Sequence, residues 1–471
     1  MKKKNVYIFG LIEKFVPQGI YLLTNILLAH FLTPNEFGAI GVLAIFIAIA
    51  NTLCDSGLGG SLVKEKNLTS DDCSTVFVFN LSISIIAYLI IYLTANYIEN
   101  FYKINGLAEI TRWLSLILVI NAFSMVPRSL LFKELKFSKL AFISIVSMII
   151  AALCSFIGVA LNWGSYSLIA FQIGNAVCSL IMFKLITKFK YTFRFSLRSF
   201  KKLFSFGLFT TICGFVDAIY ENILSIILGK NLGATVVGYY DQAKKLENGS
   251  AYSIVSALNN VSFPYLVKYV DSLNDFKAQA NIILRGSIAI FFPMLGFIAI
   301  YSSFIVNLLF GEKWGPVTPF LTLLMVNGMI YIAESTLRNN IKSLGYVKYL
   351  ANITIIKRLL GICIIIIFLT ISPFSTLYGL ILSTLIGFII NAKLYCEIIN
   401  FNLLDFLKDL VQMLLYPISI IGVLILIHSF VFLEYQWLQL IAGIVAMILY
   451  YLLLLPRLIG FNLIYYLKTS R

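Results

Sequence analysis

The stretch LTPNEFGAIGV, residues 32–42, lies between two long apolar segments and carries a strong signal for the start of a helix. Thr33 is placed to cap this helix, Pro34 to occupy its first position, and Glu36 to complete a capping box. The first apolar helix therefore ends near Leu32, and a second one begins after a minimal turn. We predict that this stretch forms the tip of a helical hairpin at the outer surface.

A weaker copy of this stretch, LGATVVGYYDQ, occurs at residues 232–242. Aligning the two copies pairs Gly38 with Gly238, and a slowly drifting register pairs Arg128 with Arg338 further along. The preserved order of such pairs favours a degenerate internal repeat of two bundles, each with about six helices. Chance similarity among apolar helices is the alternative.

The composition is that of an integral membrane protein. Of the 471 residues, 60% are hydrophobic and only 12% are charged, whereas about a quarter would be charged in a soluble protein. Apolar segments of about 20 residues recur, the length that an α-helix needs to cross a hydrocarbon core of about 30 Å. We predict an all-α fold with about fourteen transmembrane helices. The predicted spans are 7–32, 38–62, 75–97, 112–132, 138–161, 165–187, 206–230, 237–264, 284–309, 317–341, 349–371, 374–398, 409–432 and 436–456.

The formal charge of +15 could suggest nucleic-acid binding, but its placement indicates membrane topology instead. Basic residues concentrate in alternate loops, which the positive-inside rule places in the cytoplasm together with both termini. In residues 184–206, Phe193, Leu197, Phe200 and Phe204 recur at helical spacing between basic residues. This pattern predicts an amphipathic helix on the anionic inner leaflet, with partner docking as the alternative.

These observations predict four regions. Residues 1–187 form an N-terminal six-helix lobe, and 188–205 a basic, amphipathic cytoplasmic linker. Residues 206–398 form a C-terminal six-helix lobe, and 399–471 contribute two additional transmembrane helices and a cytoplasmic tail.

Ionisable residues inside the predicted spans are the candidate functional residues, since an ionised side chain near the bilayer centre costs at least about 2.5 to 3.5 kcal/mol. We predict a hydrated, mostly cationic cavity between the two bundles that receives an anionic substrate. A structural ion pair of Asp217 or Glu221 with Lys357 or Arg358 is the alternative. The candidate cations are Lys14, Arg128, Lys244, Lys245, Arg338, Lys357 and Arg358. The candidates for coupling to an ion are Asp55, Asp217, Glu221 and Glu334.

Enzymatic chemistry is not expected from this sequence. Loops are short, the phosphate-binding pattern G-x-x-x-x-G-K-[ST] is absent, and the two histidines and seven cysteines are scattered rather than grouped as metal ligands. We therefore predict no catalytic residues, no metal site and no cofactor.

Several stretches in order resemble the Wzx-type polysaccharide biosynthesis flippases of the multidrug/oligosaccharidyl-lipid/polysaccharide (MOP) exporter superfamily, especially the colanic-acid exporter branch. They include DSGLGGSLVKEK (55–66), VPRSLLFKELKFSKLA (126–141), LGATVVGYYDQAKKL (232–246) and LLFGEKWGPVTPFLTLL (308–324). The chain departs from the family at Lys14 and Phe15, where Arg and Trp are frequent, and at Glu221, which lies about a turn early.

The resemblance implies two six-helix lobes that form a V around a central cavity, plus two C-terminal helices. It also implies translocation of undecaprenyl-pyrophosphate-linked oligosaccharide repeat units across the bacterial cytoplasmic membrane by alternating access. Coupling to an H+ or Na+ gradient, and cooperation with a polysaccharide polymerase and chain-length proteins, are left open. The alternatives are a cation-coupled multidrug exporter of the same superfamily and a membrane glycan polymerase or ligase.

Overall fold

The computed structural model describes residues 3–55, 57–187, 189–430 and 436–454. These residues form eighteen α-helices, two π-helical turns and one 3-10 turn, and contain no strand. The first nine helices are α1 (Lys3–Phe31), α2 (Pro34–Gly41), α3 (Ala44–Asp55), α4 (Leu58–Lys64), α5 (Ser70–Tyr102), α6 (Leu107–Lys133), α7 (Phe137–Ala160), α8 (Ser165–Thr187) and α9 (Leu197–Leu232). The remaining nine are α10 (Ala234–Glu247), α11 (Ser253–Val267), α12 (Leu273–Ile300), α13 (Ser302–Phe310), α14 (Val317–Ser343), α15 (Val347–Leu369), α16 (Thr376–Ile398), α17 (Leu403–Phe430) and α18 (Gln436–Leu449).

The predicted all-α membrane fold is confirmed. Among the described residues, eleven helical segments are long and apolar enough to cross a membrane, and the shorter segment Trp437–Leu453 is also apolar. The other two predicted spans are helical as well, one being α1 and the other α10 followed by α11. The predicted cytoplasmic tail falls on 455–471, outside the described residues.

The capping box at the start of the second helix forms as predicted, while the position of this turn at the outer surface stays a prediction. The Thr33 side chain accepts a hydrogen bond from the Glu36 backbone N–H at 3.4 Å, and the Thr33 backbone N–H donates to Glu36 Oε2 at 2.6 Å. These two bonds make a complete capping box at the start of α2, with Pro34 in its first turn. The local sequence therefore determines where α1 ends and α2 begins.

Replacing Thr33 by alanine should lower the free energy of unfolding by about 1 kcal/mol, because one N-terminal N–H of α2 loses its acceptor. Thermal unfolding of the purified protein in detergent would measure this loss. Thr33→Ser keeps the hydroxyl and is the matched control. A Thr33→Ala protein as stable as Thr33→Ser would contradict the capping role.

The second predicted span, 38–62, is divided among α2, α3 and α4 rather than forming one helix. Gly57 precedes α4 with φ at +60°, in the left-handed region that glycine adopts without strain. This conformation starts α4 in a new direction. Apolar length alone could not reveal this break.

Packing divides the chain into two compact units, Met1–Asp241 and Gln242–Arg471. In the first unit α5 packs on α6, α7 on α8 and on α1, and α9 on α3. In the second unit α14 is central: it packs on α12, α16 and α11, and most of its side chains are buried. The predicted lobe boundaries come from the sequence repeat. The division into packing units does not test that repeat, so the boundaries stay a prediction.

The segment that joins α8 to α9 is not the helix that its spacing predicts. Residues 189–196 are non-helical, and α9 begins at Leu197 after its N-cap Ser196. The aromatic residues here pack on α5 instead, since the rings of Tyr191 and Phe193 lie 5.1 and 5.6 Å from that of Phe77. The helical prediction is therefore wrong for residues 189–196. The chain is helical from Leu197 onward, and the predicted position of this helix on the inner leaflet stays a prediction.

Polar contacts also hold this segment against α5. The Ser74 hydroxyl donates to the backbone oxygen of Arg194 at 2.9 Å. The Lys202 ammonium lies 3.3 Å from Glu65 and 3.4 Å from Asp72. Desolvation acts to lower the pKa of Lys202, but its hydrogen bond with Glu65 and the charge of Asp72 outweigh this and raise that pKa. Lys202 therefore remains protonated and links α9 to the start of α5.

The two glycines that the repeat pairs, Gly38 and Gly238, lie where α2 crosses α10. A Cβ added to Gly38 would be 1.7 Å from the carbonyl oxygen of Ala234, and one added to Gly238 would be 2.0 Å from that of Pro34. No side chain fits at such distances. The helix backbones are therefore in direct contact, as small residues permit between membrane helices.

Candidate functional site

The candidate residues from the sequence are distributed over both compact units. The first unit contains Lys14, Asp55, Arg128, Asp217 and Glu221. The second unit contains Lys244, Lys245, Glu334, Arg338, Lys357 and Arg358. The structure brings some of them together in one cluster within each unit.

The cluster of the second unit is built on a buried ion pair. Lys357 Nζ in α15 donates to Glu334 Oε1 in α14 at 2.7 Å, and each side chain is only 8% exposed. Glu334 is therefore a partner of Lys357 that the sequence did not indicate. The alternative ion pair of Asp217 or Glu221 with Lys357 or Arg358 stays a prediction. An ion pair at this depth removes much of the cost of keeping either charge away from water.

Asn391 in α16 forms hydrogen bonds with both members of the ion pair. Its Nδ2 donates to Glu334 Oε1 at 2.8 Å, and its Oδ1 accepts from Lys357 Nζ at 3.0 Å. One amide thus satisfies both partners, because it carries a donor and an acceptor. The hydrogen bonds among these three side chains connect α14, α15 and α16.

Arg338 lies at the edge of this cluster. Its guanidinium is 3.8 Å from Glu334 Oε2 and donates to Ser335 Oγ at 3.1 Å and to the Tyr331 hydroxyl at 3.4 Å. The side chain is 26% exposed, whereas that of Lys357 is 8% exposed. Of these two predicted cations, Arg338 is the one that a ligand can reach more easily.

A second polar layer lies two helical turns away on the same faces of α14 and α16. Asn327 Nδ2 donates to Glu247 Oε1 at 2.9 Å, and Thr384 Oγ1 donates to Asn327 Oδ1 at 2.7 Å. Glu247 is 3% exposed and ends α10, directly before the π-helical turn Asn248–Tyr252. Sequence reasoning missed this carboxylate.

The remaining candidates of the second unit, Lys244 and Lys245, occupy the last turn of α10, and Arg358 follows Lys357 in α15. All three side chains are partly buried. Their proposed role in binding a substrate stays a prediction.

The cluster of the first unit lines an open cavity of about 680 Å³ formed by α1 and α3 to α8. Asp55 and Arg128, both predicted, line this cavity. Glu13, which was not predicted, lines it too and lies 3.7 Å from Arg128. Lys14, Asp217 and Glu221 are not among the lining residues, and their roles stay predictions.

Comparison with known proteins identifies the family. A family model described as "Polysaccharide biosynthesis protein" matches residues 27–319, more than half of the chain. The chain belongs to this family. The resemblance predicted from the ordered sequence motifs is thereby confirmed.

The chain is similar to the lipopolysaccharide biosynthesis protein WzxC of Escherichia coli (strain K12), with 26% identity over 315 residues. The match covers 66% of this chain and 64% of WzxC, so the chain spans slightly less than two thirds of that relative.

Two solved structures share the fold. The lipid II flippase MurJ, in an inward closed conformation, has a TM-score of 0.73 at 18% identity, covering 98% of this chain and 100% of that one. An inward-facing multidrug resistance transporter of the MATE family, from the MOP superfamily, has a TM-score of 0.63 at 15% identity, covering 83% and 98%. The chain therefore shares the all-α fold of these two proteins.

Proposed function

We propose that the chain is a flippase that moves undecaprenyl-pyrophosphate-linked oligosaccharide repeat units across the cytoplasmic membrane for surface polysaccharide synthesis. The family match over residues 27–319 carries this proposal. The name of WzxC and the fold shared with a lipid II flippase support it, since both point to lipid-linked glycans.

The cations of the chain provide the chemistry for the pyrophosphate head. A guanidinium can donate two parallel hydrogen bonds to phosphate oxygens, which makes Arg338 the favoured contact in the second unit. In this proposal Lys357 stabilises the cluster rather than contacting phosphate directly, because its ammonium already donates to Glu334 and Asn391. The other proposed phosphate contacts are Lys14, Lys244, Lys245 and Arg358. Arg128 has a carboxylate partner instead, because it lies 3.7 Å from Glu13 in the cavity of the first unit.

Transport would proceed by alternating access, with the polyprenyl tail remaining in lipid. An H+ or Na+ gradient, or consumption of the product outside, would supply the direction. Asp55, Asp217, Glu221 and Glu334 are the proposed coupling residues. A polysaccharide polymerase and chain-length proteins would act on the product, and both termini of the flippase would be cytoplasmic.

Multidrug export is the competing function, because a MATE transporter shares the fold. Export of organic cations requires carboxylates in an apolar or acidic cavity. The cavity of the first unit does contain Glu13 and Asp55, but seven of the eleven candidate residues are basic. Fold alone does not decide between these functions.

Deletion of the gene should abolish surface polysaccharide and cause lipid-linked repeat units to accumulate, because synthesis continues without translocation. Carbohydrate staining of the cell surface and extraction of lipid-linked glycans would measure both effects. Re-expression of the wild-type chain should reverse them. Unchanged surface polymer, together with a new sensitivity to cationic dyes, would overturn the flippase proposal in favour of drug export.

A further inference from the structure

The cavity of the first unit has an unusual lining for the interior of a membrane protein. Side-chain amides reach it from four helices: Asn51 from α3, Asn80 from α5, Asn121 from α6 and Asn175 from α8. Serine hydroxyls, among them that of Ser124, lie between them. Asn121 and Asn175 are near the middle of α6 and α8, at a depth where apolar side chains would be less costly.

Two of these polar groups are not satisfied by the protein. Asn80 is 1% exposed and Ser124 is 8% exposed. Across the part of the chain that the structure describes, Asn80 Oδ1 and Ser124 Oγ have no hydrogen-bond partner. An unsatisfied buried polar group costs about 1 to 3 kcal/mol, so a stability role alone does not account for this arrangement. Both residues line the cavity, but these two oxygen atoms have almost no accessible surface. The more accessible amides of Asn121 and Asn175 are the groups that a ligand in the cavity can reach.

The charges of the cavity do not suit a pyrophosphate. Its lining contains two carboxylates, Glu13 and Asp55, and one guanidinium, that of Arg128, which lies 3.7 Å from Glu13. A group with several negative charges would meet a net negative lining. An uncharged ligand with many hydroxyls would meet amides that both donate and accept hydrogen bonds.

We propose that this cavity binds a sugar residue of the lipid-linked oligosaccharide, with Asn121 and Asn175 hydrogen-bonded to its hydroxyl groups. The proposal rests on the proposed flippase function and assigns the glycan, not the pyrophosphate, to this cavity. The volume of about 680 Å³ lies within the range of small-molecule sites.

The test compares two lipids that differ only in their glycan. One is the lipid-linked repeat unit extracted from cells that lack the gene, and the other is undecaprenyl pyrophosphate. Binding of each to the purified full-length protein in nanodiscs would be measured for the wild type, Asn121→Leu and Asn175→Leu. Leucine has nearly the shape of asparagine without its polar atoms. Asn307→Leu, at an exposed position of α13, is the matched control.

The wild type should bind the repeat-unit lipid more tightly than undecaprenyl pyrophosphate. Each cavity variant should weaken repeat-unit binding about tenfold, as expected for the loss of one hydrogen bond to a ligand, and leave undecaprenyl pyrophosphate binding unchanged. Asn307→Leu should match the wild type with both lipids.

Two results would overturn the sugar site while leaving the flippase proposal intact. One is a cavity variant that keeps the full preference for the repeat-unit lipid. The other is a variant whose affinity falls equally for both lipids. A wild-type protein that binds neither lipid would instead refute the flippase proposal and the sugar site with it. Asn121→Leu and Asn175→Leu are independent positions, so misfolding of one variant leaves the other as the test.

Discussion

Replacing Gly38 by alanine should reduce polysaccharide export at least tenfold while the protein still inserts into the membrane. The added Cβ would lie 1.7 Å from the carbonyl oxygen of Ala234, and a backbone atom cannot rotate away as a side chain can. Overpacking even against side chains costs about 1 to 3 kcal/mol, and here α2 and α10 must move apart. Gly238→Ala should act in the same way, because its Cβ would meet the carbonyl oxygen of Pro34 at 2.0 Å.

Export would be measured as surface polymer, and stability as thermal unfolding in detergent. Gly19→Ala is the matched control, since Gly19 is also helical and nothing lies within 4 Å of an added Cβ. The double variant Gly38→Ala/Gly238→Ala should lose less stability than the two single variants lose together, because one displacement of the helices relieves both clashes. Normal export and stability in Gly38→Ala would show that the helix crossing tolerates separation.

Replacing Lys357 by methionine should lower the free energy of unfolding by about 3 kcal/mol, because Glu334 would keep a buried charge with only Asn391 and the more exposed Arg338 beside it. Both side chains of this pair are 8% exposed. The double variant Glu334→Gln/Lys357→Met should recover most of the loss, since it removes both charges together. Chemical unfolding in detergent, followed by the loss of helical circular dichroism, would measure the three proteins.

Lys408→Met provides the control for this pair. Lys408 lies 3.4 Å from Asp405, but the two side chains are 75% and 53% exposed, so the change should cost less than about 1 kcal/mol. If Lys357→Met were as stable as Lys408→Met, the buried network would not stabilise the second unit. A double variant no more stable than Lys357→Met would indicate that packing of the lysine stem matters more than its charge.

Features encoded by neighbouring residues could be predicted from the sequence. The capping box of Thr33 and Glu36 needs only a three-residue spacing, and it forms as expected. The lengths of the apolar segments likewise predicted the helices from α5 to α8 within a few residues. Local rules were less reliable around residues 189–196, where packing of Phe193 on Phe77 replaces the helix that its spacing suggested.

Partners from different helices could not be predicted in the same way. Helical spacing places Glu334 on one face of α14, but it does not say which helix presents a cation to that face. Asn327 and Asn391 were missed because a neutral amide in an apolar helix belongs to no recognisable motif. A weak signal was available: polar residues two turns apart on both α14 and α16 mark a continuous polar stripe on each helix.

The length of α9 has a consequence for how distant parts of the chain act on each other. This helix runs without interruption for 36 residues, about 54 Å, from Ser196 beside α5 to the turn that precedes α10. A continuous helix of this length can transmit motion, because tilting one end displaces the other. Pulling on Arg198 or Lys201 by anionic lipid could therefore strain the junction of Gly38 with Gly238. A force at the first turn of α9 would then change the tension at its far end.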